Sequence, residues 1–143
     1  MKIINATAHG VIDYLMILMF WLAPSLFGLA GTAAALSYVS GWTYLALVVF
    51  TAYPLGIISV IPFTAHGAIE FLFAVALTAS PWLAGYSGLD SSRNFFLGSG
   101  IGTFAVWLLT DYRGTGRPSG RVTIRTQTRY AETPGTKERE LVQ

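Results

Sequence analysis

The sequence predicts an all-α integral membrane protein, a four-helix bundle made of two parallel two-helix repeats. The chain of 143 residues is 53% hydrophobic and only 11% charged, whereas soluble domains carry about 25% charged residues. Between Lys2 and Asp90 the only charged side chains are Asp13 and Glu70. A sequence motif also recurs inside the apolar part. Together these observations are typical of a small duplicated membrane protein.

The motif occurs at residues 7–14 and again at residues 64–71, so that His9 corresponds to His66. Each copy reads Thr-Ala-His-Gly and has a carboxylate four residues after the histidine. The same shift along the chain aligns further prolines and glycines without a gap: Pro24 with Pro81, Gly28 with Gly85, Gly31 with Gly88, and Gly41 with Gly98. The match indicates a duplicated unit.

A membrane span needs about 20 mostly apolar residues. Four segments meet or approach this length: residues 9–29, 36–61, 65–84 and 95–112. Pro54 should kink the second span or end it early, because proline lacks the N–H of a helical hydrogen bond. In the fourth span, Gly98 and Gly102 have the spacing of closely packed membrane helices. We expect that face to pack against another helix.

The first span has features of a signal peptide, because Lys2 precedes an apolar run and small residues follow at 31–35. The run is long for the apolar region of a signal peptide. The same pattern also recurs at residues 64–88, inside the chain. We therefore expect a retained helix.

Two spans in each repeat make the copies parallel, related by an axis along the membrane normal. Four spans bring both termini to one side, where Lys2 and the basic end of the chain lie, while the opposite loops carry only Arg93. The positive-inside rule then places both termini in the cytoplasm, in a multi-pass protein of the inner cell membrane. The predicted organisation is a membrane domain at 1–112 with repeats at 7–55 and 64–112, and a basic, largely flexible tail at 113–143.

Residues 80–87 read Ser-Pro-Trp-Leu-Ala-Gly-Tyr-Ser. They resemble the signature of the SPW-repeat family of small prokaryotic membrane proteins, in which Ser-Pro-Trp lies near the end of the first of two helices per repeat. The resemblance covers residues 65–112 and, more weakly, 8–55, where Ala-Pro-Ser replaces Ser-Pro-Trp. It implies a membrane fold of two-helix repeats and carries no established activity.

The ends of the first and third helices have their own signals. Thr7 and Thr64 are the expected N-caps, because a threonine oxygen accepts a first-turn N–H. Proline followed by glycine four residues later predicts the C-terminal ends, and a tryptophan there can anchor at the membrane interface. The predicted helix-terminating motif comprises Pro24, Gly28, Ser80, Pro81, Trp82 and Gly85.

Each repeat carries a polar stripe near the start of its first helix. His9 and Asp13 share one helix face, as do His66 and Glu70, because residues four apart lie on the same side. Polar side chains within membranes face the bundle interior. We expect His9 to lie near Glu70, or His66 near Asp13, at one depth near the cytoplasmic side.

Four interpretations of this group stay open. The preferred one is a hydrogen-bonded cluster without a cofactor, in a structural or partner-binding protein that is not an enzyme. The second is a proton or small-ion relay in a proton-coupled carrier. The third is a site for iron, manganese or zinc. The fourth is a haem held by both histidines.

The absence of cysteine excludes disulfides, thiolate metal sites and cysteine nucleophiles. No phosphate loop or catalytic triad is found in the sequence. In the tail, arginines are expected to contact anionic lipid head groups, at about 1 kcal/mol each, or a protein partner: Arg113, Arg117, Arg121, Arg125 and Arg129. No aromatic residues alternate with these arginines, so nucleic acid binding is not expected. A homo-oligomer or a membrane-protein partner is also compatible with the sequence.

Overall fold

The computed structural model describes residues 2–113. Within this range the chain forms four helices and two very short strands. In chain order they are α1 (Ala6–Phe27), α2 (Gly31–Phe50), β1 (Thr51–Ala52), β2 (Ile61–Pro62), α3 (Phe63–Leu83) and α4 (Asp90–Leu109). The predicted tail beyond Arg113 lies outside the described residues, including Arg117, Arg121, Arg125 and Arg129.

The helices associate as two pairs. α1 packs mainly on α2, α3 packs mainly on α4, and α1 also touches α4. At the end of the molecule that holds both ends of the described chain, β1 pairs in parallel with β2. Ile4 makes the matching parallel bridge to Thr110. These pairings place the end of α2 beside the start of α3, and the end of α4 beside the start of α1.

The second helices of the two repeats, α2 and α4, do not follow the ungapped alignment that relates the first helices, α1 and α3. α1 and α3 begin at equivalent positions of the ungapped alignment. α2 begins at Gly31, whereas α4 begins at Asp90, two positions beyond the aligned Gly88. The longer connection from α3 to α4 accounts for the difference. The ungapped alignment of Gly41 with Gly98 is therefore wrong for the second helices, and Gly100 is the counterpart of Gly41.

Three of the described helices are long and apolar enough to cross a membrane: α1, α2 and α3, with mean hydropathies of 1.7, 1.5 and 1.4. The fourth helix, α4, is not among them, because it begins with the polar run Asp-Ser-Ser-Arg-Asn. Large apolar side chains face outward, for example Leu15 (61% exposed) and Leu72 (65% exposed). These surfaces are suited to lipid and support a membrane location.

The observed helix bounds correct several expectations. α2 ends at Phe50, so the predicted second span, which runs to position 61, is too long. Pro54 lies in the connection after the helix. α1 is capped by Asn5, whose Oδ1 accepts the N–H of Ala8 at 2.9 Å. Thr7 is therefore not the N-cap.

At the start of α3 the predicted N-cap is again wrong, whereas the predicted C-terminal ends of α1 and α3 are confirmed. Pro62 occupies the N-cap of α3 without a side-chain cap bond, so Thr64 is not a cap either. Gly28 is the left-handed C-cap of α1, with φ 64°, and Gly85 follows α3 with φ 73°. Pro24 and Pro81 lie inside the last turns of their helices.

Of the three glycines in α4, Gly100 is buried against another helix, whereas Gly98 and Gly102 are exposed. A Cβ on Gly100 would lie 2.8 Å from the backbone N of Thr78, so this glycine permits the close approach of α3 and α4. Gly98 and Gly102 are exposed, and a Cβ on either would meet no atom within 4 Å. The expectation that their face packs against another helix of this chain is wrong.

Candidate functional site

The two repeated motifs converge at one buried cluster. His9, Asp13, His66 and Glu70 are each 0% exposed. The histidines lie in the first turns of α1 and α3, and the carboxylates lie one turn further along. The Nε2 atoms of the two histidines lie 3.3 Å apart. His9 Nε2 lies 3.5 Å from Glu70 Oε2, and His66 Nε2 lies 3.6 Å from Asp13 Oδ2. Both pairings between α1 and α3 that the repeat predicts are present.

Each histidine is oriented by a threonine at the end of another helix. His9 Nδ1 lies 2.9 Å from Thr110 Oγ1, and His66 Nδ1 lies 2.8 Å from Thr51 Oγ1. Thr51 and Thr110 are the C-cap residues of α2 and α4. Each histidine therefore contacts a threonine from the other repeat. The short parallel pairings of the backbone bring these caps beside the histidines.

The threonines also determine which ring nitrogen carries the proton. Thr51 Oγ1 donates to the carbonyl of Leu47 at 2.6 Å, and Thr110 Oγ1 donates to the carbonyl of Val106 at 2.7 Å. Because a hydroxyl has a single proton, each threonine must accept from the histidine. Nδ1 is therefore the N–H donor in both rings. In the neutral rings both Nε2 lone pairs point into the cluster.

The carboxylates differ in how well they are satisfied. Tyr44 donates to Glu70 Oε1 at 2.9 Å, and Tyr112 donates to Glu70 Oε2. Asp13 has a longer phenol contact, from Tyr53 to Oδ2 at 3.4 Å. Asp13 Oδ1 is buried and has no hydrogen-bond partner among residues 2–113. Each oxygen of Glu70 thus has a phenol donor, whereas the Oδ1 atom of Asp13 has none.

Aromatic rings close the cluster at the end of the helices. Tyr53 stacks on Phe63 with ring centroids 5.5 Å apart, and Phe63 contacts Tyr112 at 4.8 Å. Burial raises the pKa of both Tyr53 and Tyr112, and the charges of Asp13 and Glu70, respectively, raise it further. The two phenols therefore stay protonated and serve as donors to the carboxylates.

The glycine after each histidine makes room for one of these rings. A Cβ on Gly10 would lie 2.6 Å from the Tyr53 ring, and a Cβ on Gly67 would lie 2.8 Å from the Tyr112 ring. The His-Gly pair of the motif thus has two functions. The histidine is a member of the cluster, and the glycine leaves space for the tyrosine ring that packs over the cluster.

The other predicted site residues lie away from this cluster. Pro24 and Pro81 lie about four helical turns beyond the histidine of their helix, or about 22 Å along the axis. Ser80 donates to the carbonyl of Leu77 at 2.8 Å, and Trp82 is 58% exposed. Arg113 is exposed. The helix-terminating motif and the cluster occupy opposite ends of α1 and α3.

Five partners of the cluster were not identified from the sequence: Tyr44, Thr51, Tyr53, Thr110 and Tyr112. Four of them form a second repeated signal. Thr-Ala-Tyr follows α2 at residues 51–53, and Thr-Asp-Tyr follows α4 at residues 110–112. The second triplet lies two positions beyond the place that the ungapped alignment of the histidines assigns to it, so that alignment misses the correspondence.

Comparisons of the chain with protein-family models, with curated proteins and with solved structures found no match. The resemblance to the SPW-repeat family therefore stays a prediction from the sequence.

Proposed function

We propose that this chain is a four-span membrane protein that binds one divalent transition-metal ion between its two parallel repeats. The ligands are the Nε2 atoms of His9 and His66 and the carboxylate of Glu70, and Asp13 lies beside the fourth position. Imidazole and carboxylate together suit Zn²⁺, Fe²⁺ and Mn²⁺. The observation that carries the proposal is the convergence of two histidine lone pairs on a point flanked by two carboxylates.

The spacing of the ligand atoms supports a metal ion. Metal–nitrogen bonds of about 2.0–2.1 Å in a tetrahedral site set neighbouring ligands about 3.3–3.4 Å apart. The His9–His66 distance is 3.3 Å, and His9 Nε2 lies 3.5 Å from Glu70 Oε2. The ligand atoms of His9, His66 and Glu70 all lie within 4.8 Å of one another.

The same distances weigh against two of the other interpretations. Direct N–H···O bonds have lengths of about 2.7–3.2 Å, shorter than these contacts, so a purely hydrogen-bonded cluster fits less well. The two axial nitrogens of a haem lie about 4 Å apart, twice a metal–nitrogen bond of about 2.0 Å, with the macrocycle between them. The 3.3 Å between His9 and His66 is shorter than that separation, which weighs against a haem.

Charge balance gives separate support. In residues 2–113, neither Asp13 nor Glu70 has a Lys or Arg within ion-pair distance; the basic groups at that distance are the two histidine rings, which are neutral. Two carboxylates buried without a cation are costly. A dication held beside both would neutralise them. The threonines meanwhile hold the histidine rings in the orientation a metal requires, as outer-shell partners commonly do.

The proposed topology has α4 as the fourth span. Its 20 residues reach about 30 Å, the thickness of a bilayer core, and its polar first turn can lie at the interface. The parallel backbone pairings bring both ends of the described chain to one side, and the basic tail assigns that side to the cytoplasm. The metal then lies near the cytoplasmic face.

Metal binding is tested on the full chain in detergent after treatment with a chelator. Cobalt(II) titration followed by visible absorption should show one ion per chain with the bands of a low-symmetry site. The variants His9→Ala and His66→Ala should lose these bands while keeping the helical circular dichroism of the parent. Asp13→Asn should weaken binding, whereas the matched control Asp90→Asn, at an exposed carboxylate paired with Arg93, should not.

A folded parent that binds no more cobalt, zinc, iron(II) or manganese than the double variant His9→Ala/His66→Ala would overturn the proposal. Equal binding by the parent and by both single histidine variants would overturn it as well.

A further inference from the structure

The two halves of the cluster differ at one pair of corresponding positions. Tyr44 and Thr103 occupy the same position in α2 and α4, counted from the first residue of each helix, and both side chains are buried. In α2 the phenol of Tyr44 donates to Glu70. In α4 the corresponding residue is a threonine, whose shorter side chain makes no hydrogen bond to Asp13.

This difference leaves two buried oxygens without partners. Among residues 2–113, Thr103 Oγ1 and Asp13 Oδ1 are buried polar atoms with no hydrogen bond. Both belong to the half in which threonine replaces tyrosine. Buried polar atoms in proteins are paired in the great majority of cases. A small polar molecule that contacts both would satisfy them.

A cleft of about 440 Å³ between α1 and α4 approaches the same place. Its lining includes Met16 from α1 and Ser99 from α4. Met16 lies about one helical turn from Asp13, and Ser99 about one turn from Thr103. Asn94 lines the cleft nearer the start of α4. The cleft therefore offers a route from the end of the molecule opposite the chain termini.

We infer that the Asp13 side of the cluster is an open position, where a water molecule or a small monodentate anion binds between Thr103 and the metal ion. This inference rests on the proposed metal site. Metal centres that keep an exchangeable position are the ones that react with small molecules, whereas closed sites are structural. The Glu70 side is closed by Tyr44 and Tyr112, so exchange takes place at the Asp13 side alone.

The experiment uses the cobalt-loaded full chain and azide as the probe. Azide should shift the visible cobalt bands of the parent with a saturable dependence on concentration. Thr103→Tyr restores the phenol found in the other half. It should raise the azide dissociation constant at least about tenfold by filling the position and pairing Asp13, while the cobalt stoichiometry stays at one. Thr32→Tyr, at an exposed threonine of α2, is the matched control and should bind azide like the parent.

A second variant tests the same position in case Thr103→Tyr does not fold. Thr103→Val keeps the shape and removes the hydroxyl, so azide should bind about fivefold more weakly, the loss expected for one hydrogen bond. A cobalt-loaded parent that does not respond to azide would overturn the open position and leave the metal site standing. Unchanged azide binding in both Thr103 variants would likewise overturn the open position without affecting the metal site. Failure of the parent to bind cobalt would instead overturn the proposed function, and this inference with it.

Discussion

The ring of Tyr112 lies directly against Gly67, so that a Cβ at that position would be 2.8 Å from a ring carbon. Gly67→Ala should therefore displace Tyr112 and remove a donor from Glu70. We expect a loss of about 1–3 kcal/mol in unfolding free energy, as for other overpacked sites. The measurement is the thermal midpoint of the full chain in detergent.

The matched control for this change is Gly102→Ala. A Cβ on Gly102 meets nothing within 4 Å, and alanine is the better helix former. Its midpoint should be unchanged or slightly higher. Equal midpoints for the two variants would show that the contact between Gly67 and Tyr112 does not constrain the fold.

The threonine at the end of α2 gives the second prediction. Thr51→Val keeps the shape of the side chain and removes the acceptor for His66 Nδ1–H. The imidazole then loses the partner that fixes its tautomer, and metal affinity should fall about 10- to 100-fold, as for other outer-shell changes. Competition with a chromophoric chelator measures the affinity.

Thr51→Ser should retain the affinity, because serine can make the same two bonds. Thr43→Val is the control on the exposed face of the same helix. If Thr51→Val binds metal as tightly as Thr43→Val does, the hydroxyl does not orient the ring.

The histidine and acid stripes could be predicted from the sequence because they depend on local geometry. His9 and Asp13 are one helical turn apart, and the exact repetition of their spacing at His66 and Glu70 indicates two equivalent helices. A charged residue in an apolar helix must also face inward. These arguments need no knowledge of how the helices are connected.

The partners of the cluster could not be predicted in the same way, because they come from the ends of other helices. Thr110 reaches His9 through the bridge of Ile4 to Thr110, a contact across nearly the whole described chain. The longer connection before α4 moves the second helices out of the ungapped alignment, which hides the correspondence of Tyr53 with Tyr112. Thr7 has the residue type of a cap, yet Asn5 begins the helix.

The phenols that serve the carboxylates give the third prediction. Tyr44→Phe removes the 2.9 Å bond to Glu70 Oε1, which leaves a buried acceptor unsatisfied and should destabilise the chain by about 1–3 kcal/mol. Tyr53→Phe should have a smaller effect, because its 3.4 Å contact with Asp13 exceeds the usual hydrogen-bond length. Unfolding in mixed micelles with increasing denaturing detergent measures both.

Tyr38→Phe on the exposed surface of α2 is the control and should match the parent. A loss for Tyr53→Phe as large as that for Tyr44→Phe would contradict the difference between the two carboxylates.

The start of α1 gives the fourth prediction, which separates two candidate caps. Asn5→Ala removes the bond from Asn5 Oδ1 to the N–H of Ala8 and should lower stability by about 1 kcal/mol. Thr7→Ala should have almost no effect, because Thr7 is exposed within the helix. Thermal midpoints of the two variants, measured side by side, decide between them. A larger loss for Thr7→Ala would restore threonine as the cap.

The fifth prediction follows from the position of the proposed metal between α1 and α3. An ion that binds only the folded chain adds stability that grows with its concentration, about 4.1 kcal/mol at 1,000 times the dissociation constant. Zinc should therefore raise the thermal midpoint of the parent, and a chelator should reverse the rise. Asp13→Asn should show a smaller rise and Asp90→Asn the full one. A rise of the same size in the double variant His9→Ala/His66→Ala would mean that zinc stabilises the chain elsewhere, because those two rings are the chain's only imidazoles.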